Sequence, residues 1–541
     1  MKRILLLYPP FEGKNYLTSR APFPIGPLYL AAYLKKKRKK SAVVDMSYPP
    51  QKIKVKRPKE LKTGQPNYFR FGWSDTQITD WLKERLDDFH EIVGVSSLMS
   101  SNWTGAYNLI NLIKRVDPKR EVIIGGPHAT AFPDHVHKNS QADYICIGEG
   151  EEAFYKLLKG EKHEGIIKSG QTLDCRRSFI SQMDSLPFPS RKLLWDNREM
   201  KEIYITFSRG CPHRCSFCGS HLIQGRIWRH KSPKRMIEEV QHYHRNWGIR
   251  KFVIEDDNPC AGKKGIEHLK EFCRQVIAEL PKLRFTVSHG IPVYATADKE
   301  LSELLYKAGF RNMVFPLEST NPQVLEDMQK EFTPKNWRKA IKNWKYEKAH
   351  PTEIILGYPF VETIESMLMT MIEIAKKKGR VWASHFRLNK GTPLFERCLE
   401  AGYVNASYDP INTQAFFIET ERFNLNDLKE LMQISRGINF ATELGFNPFK
   451  DIVDATAFHD FKYPDKIGDT IAKGNFSFRR SQNITASIML TVTGKHNGRP
   501  YVTYGNSQSL VYKGDRPSRV YDVLKYIITG QRRTTIRSFL K

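Results

Sequence analysis

The sequence predicts an α/β protein: two successive parallel-sheet units followed by a small α+β appendage. Three observations carry that expectation. Short apolar runs alternate with helical patterns over residues 1–155, a second alternation with six strand candidates starts at residue 203, and the pattern changes after about residue 405. Continuous apolar strands separated by helices are the pattern of parallel sheets covered on both faces. A chain of 541 residues also exceeds what one hydrophobic core supports. The expected organisation is a doubly wound parallel sheet over 1–155 and a linker over 156–200. An open (β/α)6 barrel over 201–405 and an accessory domain over 406–541, basic from 471, complete it.

In the first unit, "RILLLYP" (3–9) is a buried strand and "IGPLYLAAYLKKK" (25–37) has helical spacing. "SAVVDMS" (41–47) is a second strand, and the polar, Pro- and Lys-rich insert 49–75 is expected as a surface loop. Then come an amphipathic helix (77–89), a strand "IVGVSSL" (92–98), a helix (102–116), and the strands "EVIIGGP" (121–127) and "ADYICIGEGE" (142–151). Ligands on such sheets bind beyond the C-terminal strand ends. Ser96–Ser97, "GGPHAT" (125–130) and "GEGE" (148–151) converge there. Glycines at strand ends let a large ligand approach the backbone, so a bound cofactor is expected. His128 in "GGPHAT" is a ligand candidate, with a structural turn histidine as the alternative.

The barrel strands are expected at 204–210, 251–257, 284–291, 312–319, 353–359 and 381–388. Active sites of such barrels gather at the C-terminal strand ends. In the tail, residues 424–444 read as a helix, 484–494 and 500–505 as strands about a turn at "KHNGR", and 518–530 as a helix.

The N-terminus has four apolar residues before Pro9 and Pro10, too few for a signal-peptide core, and no run of eighteen apolar residues predicts a spanning helix. The formal charge is +28, concentrated in residues 35–62 (twelve Lys/Arg, two acids) and 471–541 (thirteen against two). A polyanionic partner, nucleic acid or a phosphorylated substrate, is one meaning of that charge, and solubilising surface is the other.

The chemistry is concentrated in "SRGCPHRCSFCGS" (208–220), where Cys211, Cys215 and Cys218 fall inside eight positions. A structural zinc site usually closes four ligands. Three thiolates leave an open position on a metal or on one iron of a cluster. A C-x-x-x-C-x-x-C set holding three irons of a 4Fe–4S cluster leaves the fourth free. The alternative is zinc completed by His213 or His221. Cys146, Cys175, Cys260, Cys273 and Cys398 show no metal spacing and are expected as small buried side chains.

"CPHRCSFC", with Phe217 before the third cysteine, resembles the signature of the radical S-adenosylmethionine superfamily. "PFPIGPLYLAAYL", "IVGVSSL", "VIIGGPHATAFPD" and "DYICIGEGEEAF" resemble the cobalamin-binding domain that one large class of these enzymes carries. "EDDNP", "AGFRNMVFPLEST", "GYPFVET" and "KGTPLFE" are similar to that class in order and spacing, so the resemblance covers roughly residues 1–405. It implies that Cys211, Cys215 and Cys218 bind the cluster, whose free iron chelates S-adenosylmethionine. It further places Asp256 and Asp257 near the methionine amino group, Glu318 and Ser319 near the ribose, and Gly357 near the adenine. For cobalamin it implies Ser96, Ser97, Gly125, Gly126, Gly148 and Glu149. The motif D-x-H-x-x-G is missing, since "DFHEIVG" (88–94) has one residue too many, so no histidine ligand to cobalt from below is expected.

The activity this implies is methylation of an unactivated carbon, with ring formation or rearrangement as outcomes known within the same family. A nucleic-acid-modifying member is a further alternative, supported by the basic tail alone; only Cys146 precedes the linker, against the extra N-terminal cysteines of methylthiotransferases. A non-catalytic sensor would not need the rim motifs of the barrel. The basic charge suits a small-molecule or anionic substrate and the cysteine usage a reducing cytoplasm, while the resemblance implies an electron donor such as flavodoxin or ferredoxin and an anaerobic setting.

Overall fold

The structure, a computed structural model, describes residues 3–13, 23–49, 52–54, 69–171, 176–189, 191–196, 198–344, 346, 350–414, 417–443, 491–496 and 499–504, and the single positions 519, 520, 523 and 527. The chain divides into two compact units. Residues 1–289, 304–311 and 387–416 form the first; residues 290–303, 312–386 and 417–541 form the second. Among the described residues, no helix is long and apolar enough to cross a membrane.

The first unit opens with a six-stranded sheet: β1 (Arg3–Tyr8), β2 (Ser41–Asp45), β3 (Phe89–Ser96), β4 (Glu121–Gly125), β5 (Tyr144–Cys146) and β6 (Ile166–Lys168). Its order is β2-β1-β3-β4-β5-β6. All pairs are parallel except β5–β6. The five predicted strands are there; the sixth comes from within the stretch expected as linker.

Alternation along the strands explains why both faces are covered. Leu5, Leu7, Val93, Val95, Val122 and Ile124 pack under helices α2 (Asp75–Arg85) and α3 (Trp103–Val116). Ile4, Leu6, Val43, Ile92 and Ile123 pack with Leu28, Ala31 and Leu34 of α1 (Ile25–Lys36) and with Phe154. Two apolar faces on each strand leave the sheet no solvated side, which is the doubly wound arrangement.

The insert 49–75, expected as a surface loop, instead supplies two strands of a small antiparallel sheet, Phe11–Gly13, Phe69–Phe71 and Lys52–Lys54. The reason is buried pairing: Arg70 meets Glu12 at 2.7 Å with both side chains nearly inaccessible. The local Lys/Pro composition does not register that long-range pair.

The second alternation forms all six expected strands. β7 (Ile203–Ile205), β8 (Lys251–Ile254) and β9 (Arg284–Val287) make a parallel sheet in the first unit. β10 (Phe315–Glu318), β11 (Pro351–Leu356) and β12 (Arg380–His385) make another in the second. In the second unit the predicted tail helix runs Leu425–Glu443, and its Asn439 amide donates to and accepts from the Val381 backbone at 2.7 Å on edge strand β12. The expected tail hairpin pairs Thr491–His496 with Arg499–Tyr504. Cys175, most of the helix expected at 518–530 and the basic end at Arg532, Arg533, Arg537 and Lys541 lie outside the described residues.

Candidate active site

Strand β7 stops at Ile205, and the chain then enters a two-residue ladder, Ser208–Arg209 against Arg229–His230. A single carboxylate causes this departure. Asp256 Oδ1 accepts the Phe207 N–H at 2.8 Å, and Oδ2 accepts the Ser208 N–H at 2.7 Å and its hydroxyl at 2.6 Å. Asp256 is fully buried, and burial pushes its carboxyl up to about 7 against those hydrogen bonds. Both of its oxygens are engaged in shaping the strand end. Asp257 is half-buried and accepts the Ser220 hydroxyl.

From there the loop closes on itself. Gly210 has φ 87°, and a Cβ there would lie 2.2 Å from the Ile227 carbonyl oxygen, so only glycine fits. The Gly210 N–H donates to Gln224 Oε1 at 2.9 Å and the Cys211 N–H to the Gly225 carbonyl at 3.2 Å. Inside that closure sit the three cysteines, none in a disulfide and all partly accessible. Burial pushes the Cys218 thiol up to about 12; the Ser220 N–H opposes the rise, and Cys215, Asp257 and Cys211 add to it. The three sulfurs thus share one electrostatic neighbourhood, in which ionised thiolates need a cationic partner. Among the described residues, no three His, Cys, Asp or Glu side chains gather as a site for a single metal ion.

The motif "KGTPLFE" and Asn389 just before it brace the loop from the far end of the same unit. Asn389 donates to the Phe217 carbonyl at 3.2 Å, and the Leu394 N–H donates to the Ser216 carbonyl at 3.0 Å.

At the C-terminal edge of the first sheet, β1 lies between β2 and β3, which puts the topological switch point beside Tyr8 and Ser96. Ser96 is in register with Gly125, and the Ser97 N–H donates to the Gly125 carbonyl at 2.8 Å. Gly126 has φ 100°, and a Cβ would come within 2.8 Å of the Ser97 carbonyl oxygen. Gly148 has φ 85° and packs as closely on the Ser178 backbone. Three hydroxyls near this edge, Tyr8 Oη, Ser97 Oγ and Ser101 Oγ, are buried with no hydrogen-bond partner among the described residues. Orphaned hydroxyls beside a glycine edge suit a ligand rich in amides, as a corrinoid is.

Glu149, expected at that ligand, is committed elsewhere. Its carboxylate meets Arg229 at 2.7 Å and Arg209 at 3.1 Å and accepts the Ile180 N–H at 2.7 Å. Glu151 meets Arg209 at 2.7 Å. This buried quartet anchors the residue that precedes the cysteine loop. His128 is also spoken for: Nδ1 is 2.9 Å from Ser100 Oγ, Nε2 is 3.1 Å from His135 Nδ1, and burial drives its pKa down to about 3. It stays neutral and structural.

In the second unit, Glu318 takes φ 69°, rare outside glycine, and pairs with Lys330 at 2.6 Å. The Ser319 hydroxyl accepts the Asn321 N–H at 3.1 Å. Gly357 has φ 85° and its N–H donates to Glu362 at 3.1 Å. Sequence reasoning missed Tyr8, Glu151, Arg209, Arg229 and Asn258. "GEGE" and "EDDNP" contained two of these; for the arginines and Tyr8 only the folded neighbourhood signals a role.

Two family descriptions match the chain: the radical SAM superfamily over residues 205–373 and the B12 binding domain over residues 75–158. The chain carries a radical SAM domain and a B12 binding domain. This radical SAM protein is 27% identical over 393 residues to "Uncharacterized methyltransferase PH0819" of Pyrococcus horikoshii, covering 69% of this chain and 78% of that one. It is 25% identical over 471 residues to cytidylyl-2-hydroxyethylphosphonate methyltransferase of Streptomyces wedmorensis, covering 75% and 83%. It is 30% identical over 242 residues to the anaerobic magnesium-protoporphyrin IX monomethyl ester cyclase of Synechocystis, covering 42% and 47%. Two solved structures share the fold. The methyltransferase TsrM from Kitasatospora setae has TM-score 0.58 at 16% identity, covering 82% of this chain and 89% of that one. The cobalamin-dependent enzyme OxsB has TM-score 0.61 at 14% identity, covering 88% and 71%.

The orphaned hydroxyls give a direct test of the corrinoid edge. Tyr8→Phe and Ser97→Ala each remove a buried hydroxyl that has no partner, so melting temperature is expected to hold or rise. Corrinoid affinity should fall about two- to twelvefold per variant, the worth of one hydrogen bond of roughly 0.5–1.5 kcal/mol. Equilibrium titration followed by corrinoid absorbance checks this; variants that lose stability and keep affinity would mark the hydroxyls as structural.

Proposed function

We propose that this radical SAM protein is a cobalamin-dependent methyltransferase acting on an unactivated carbon of a small or anionic substrate. The carrying observation is the union in one chain of the radical SAM and B12 binding domains, aligned over two thirds or more of the chain with relatives named methyltransferases. When bound, a 4Fe–4S cluster with S-adenosylmethionine supplies reductive carbon–sulfur cleavage, and cobalamin supplies a transferable methyl group.

Cys211, Cys215 and Cys218 would hold the cluster, in a loop fixed by Gly210, Asn389 and Leu394. Ser96, Ser97, Gly125, Gly126 and Gly148, with Tyr8, would seat the corrinoid. Asp257, Glu318, Ser319 and Gly357 are the residues proposed for S-adenosylmethionine. The protein's own part is to position these groups and to exclude water and oxygen, with an external donor such as flavodoxin or ferredoxin supplying electrons and a cytoplasmic, anaerobic setting.

Ring formation is the second reading, favoured by the 30% identity to a cyclase. One experiment separates the two. Reconstituted, reduced protein is given S-adenosylmethionine with a deuterated methyl group and a pool of candidate substrates. The methyltransferase reading expects a product carrying the labelled methyl, dependent on added corrinoid. Formation of 5′-deoxyadenosine with new product and no label would favour the cyclase.

A further inference from the structure

We infer that Asn258 is a hydrogen-bond donor to the cluster-ligating sulfur of Cys211 and raises the reduction potential of that site. The inference rests on the reading of Cys211, Cys215 and Cys218 as cluster ligands. Asn258 follows the aspartate pair at the end of β8 and is 2% exposed. Its Nδ2 lies 3.7 Å from Cys211 Sγ, a length at which N–H···S bonds form.

Which end of the amide faces the sulfur is fixed by its other partner. Oδ1 accepts the Cys260 N–H at 3.1 Å, so the NH₂ end is the one left for Cys211. The backbone of the same residue is pinned as well. Its carbonyl accepts the Ser208 hydroxyl at 2.9 Å and the Trp228 indole N–H at 2.8 Å. Pro259 restricts the preceding residue to extended backbone and brings no N–H of its own to compete.

The choice of amide over carboxylate is informative. An aspartate would accept the Cys260 N–H equally well, since both side chains form this local turn. Only asparagine adds a donor, and that donor points at the sulfur. Cys211 also receives the backbone N–H of His213, so the side-chain bond from Asn258 is the one that substitution can delete.

One-electron reduction adds negative charge to the cluster and its thiolates. An N–H dipole with its positive end on the sulfur stabilises the reduced form more than the oxidised one, and hydrogen bonds to cluster sulfurs are a recognised control of potential. Burial strengthens the effect, because a polar contact is worth more where water is excluded.

The test uses the full-length chain, reconstituted anaerobically, as wild type, Asn258→Asp and Asn258→Ala. Asn258→Asp keeps the acceptor for the Cys260 N–H, so the local turn survives while the donor is lost. Asn258→Ala removes the donor without adding a charge. The midpoint potential is measured by titration followed by electron paramagnetic resonance, in the absence of S-adenosylmethionine. Both variants should bind the cluster with a less favourable reduction equilibrium; a tenfold loss is 59 mV for one electron. The exchangeable-proton coupling that comes from the Asn258 amide should be present in wild type and missing in both variants, while the couplings of the His213 and Ser220 N–H groups remain. Loaded variants with the wild-type potential and the same proton coupling would overturn the assignment. A wild-type chain that takes up no cluster at all would overturn the site reading together with it.

Discussion

Replacing Cys211, Cys215 and Cys218 together by alanine is expected to abolish cluster incorporation and, with it, all reductive cleavage of S-adenosylmethionine. The loss should be complete, because all three thiolates proposed to hold the cluster are removed together. The remaining described cysteines, Cys146, Cys260, Cys273 and Cys398, are buried inside the fold. The fold itself should survive, because the loop is closed by Gly210, Gln224, Asn389 and Leu394 rather than by the sulfurs. Iron and sulfide assays, 5′-deoxyadenosine formation and circular dichroism read the three parts. A triple variant that kept its iron and still formed 5′-deoxyadenosine would show the cluster to be held elsewhere.

The second large effect is expected at the buried ion quartet. The side chains of Glu149, Glu151, Arg209 and Arg229 are 6–12% exposed, and each carboxylate is answered by a guanidinium. Glu151 and Glu149 hold the Arg209 guanidinium charged well beyond its ordinary range despite its burial. Glu151→Ala strands part of that charge, and breaking a buried pair this way costs about 3–5 kcal/mol. Because Arg209 precedes Gly210 and Cys211 in the chain, cluster loading should drop with stability. Pairing Glu151→Leu with Arg209→Met should recover much of the stability, since apolar replacements of both partners avoid a lone buried charge. Urea unfolding of the single and double variants checks this. A single variant within about 1 kcal/mol of wild type would place the pair in effectively aqueous surroundings.

Much of this was legible in the sequence for a physical reason. Apolar runs such as "RILLLY" and "EVIIG" are buried on both faces, so composition alone marks them as parallel strands. The cysteine spacing survives as a property of one short loop. What sequence could not show are roles fixed by distant partners. Asp256 and Asp257 are neighbours in the chain, yet the first turns inward to cap Phe207 and Ser208 while the second stays at the loop. Glu149 sits in a glycine-rich strand end that looks ligand-facing, and two arginines 60 and 80 positions away claim it. The insert 49–75 is rich in Lys, Pro and polar residues, and the buried Arg70–Glu12 pair beside its strand Phe69–Phe71 spans 58 positions.

The central claim is that one chain carries both an iron–sulfur cluster and a corrinoid. The measurement that tests it most directly is the iron, sulfide and corrinoid content of the wild-type protein, purified and reconstituted without oxygen. The account predicts iron and sulfide in the proportion of a 4Fe–4S cluster together with a bound corrinoid, visible by absorbance after removal of excess cofactor. Protein that holds the cluster and no corrinoid, or neither, would contradict it.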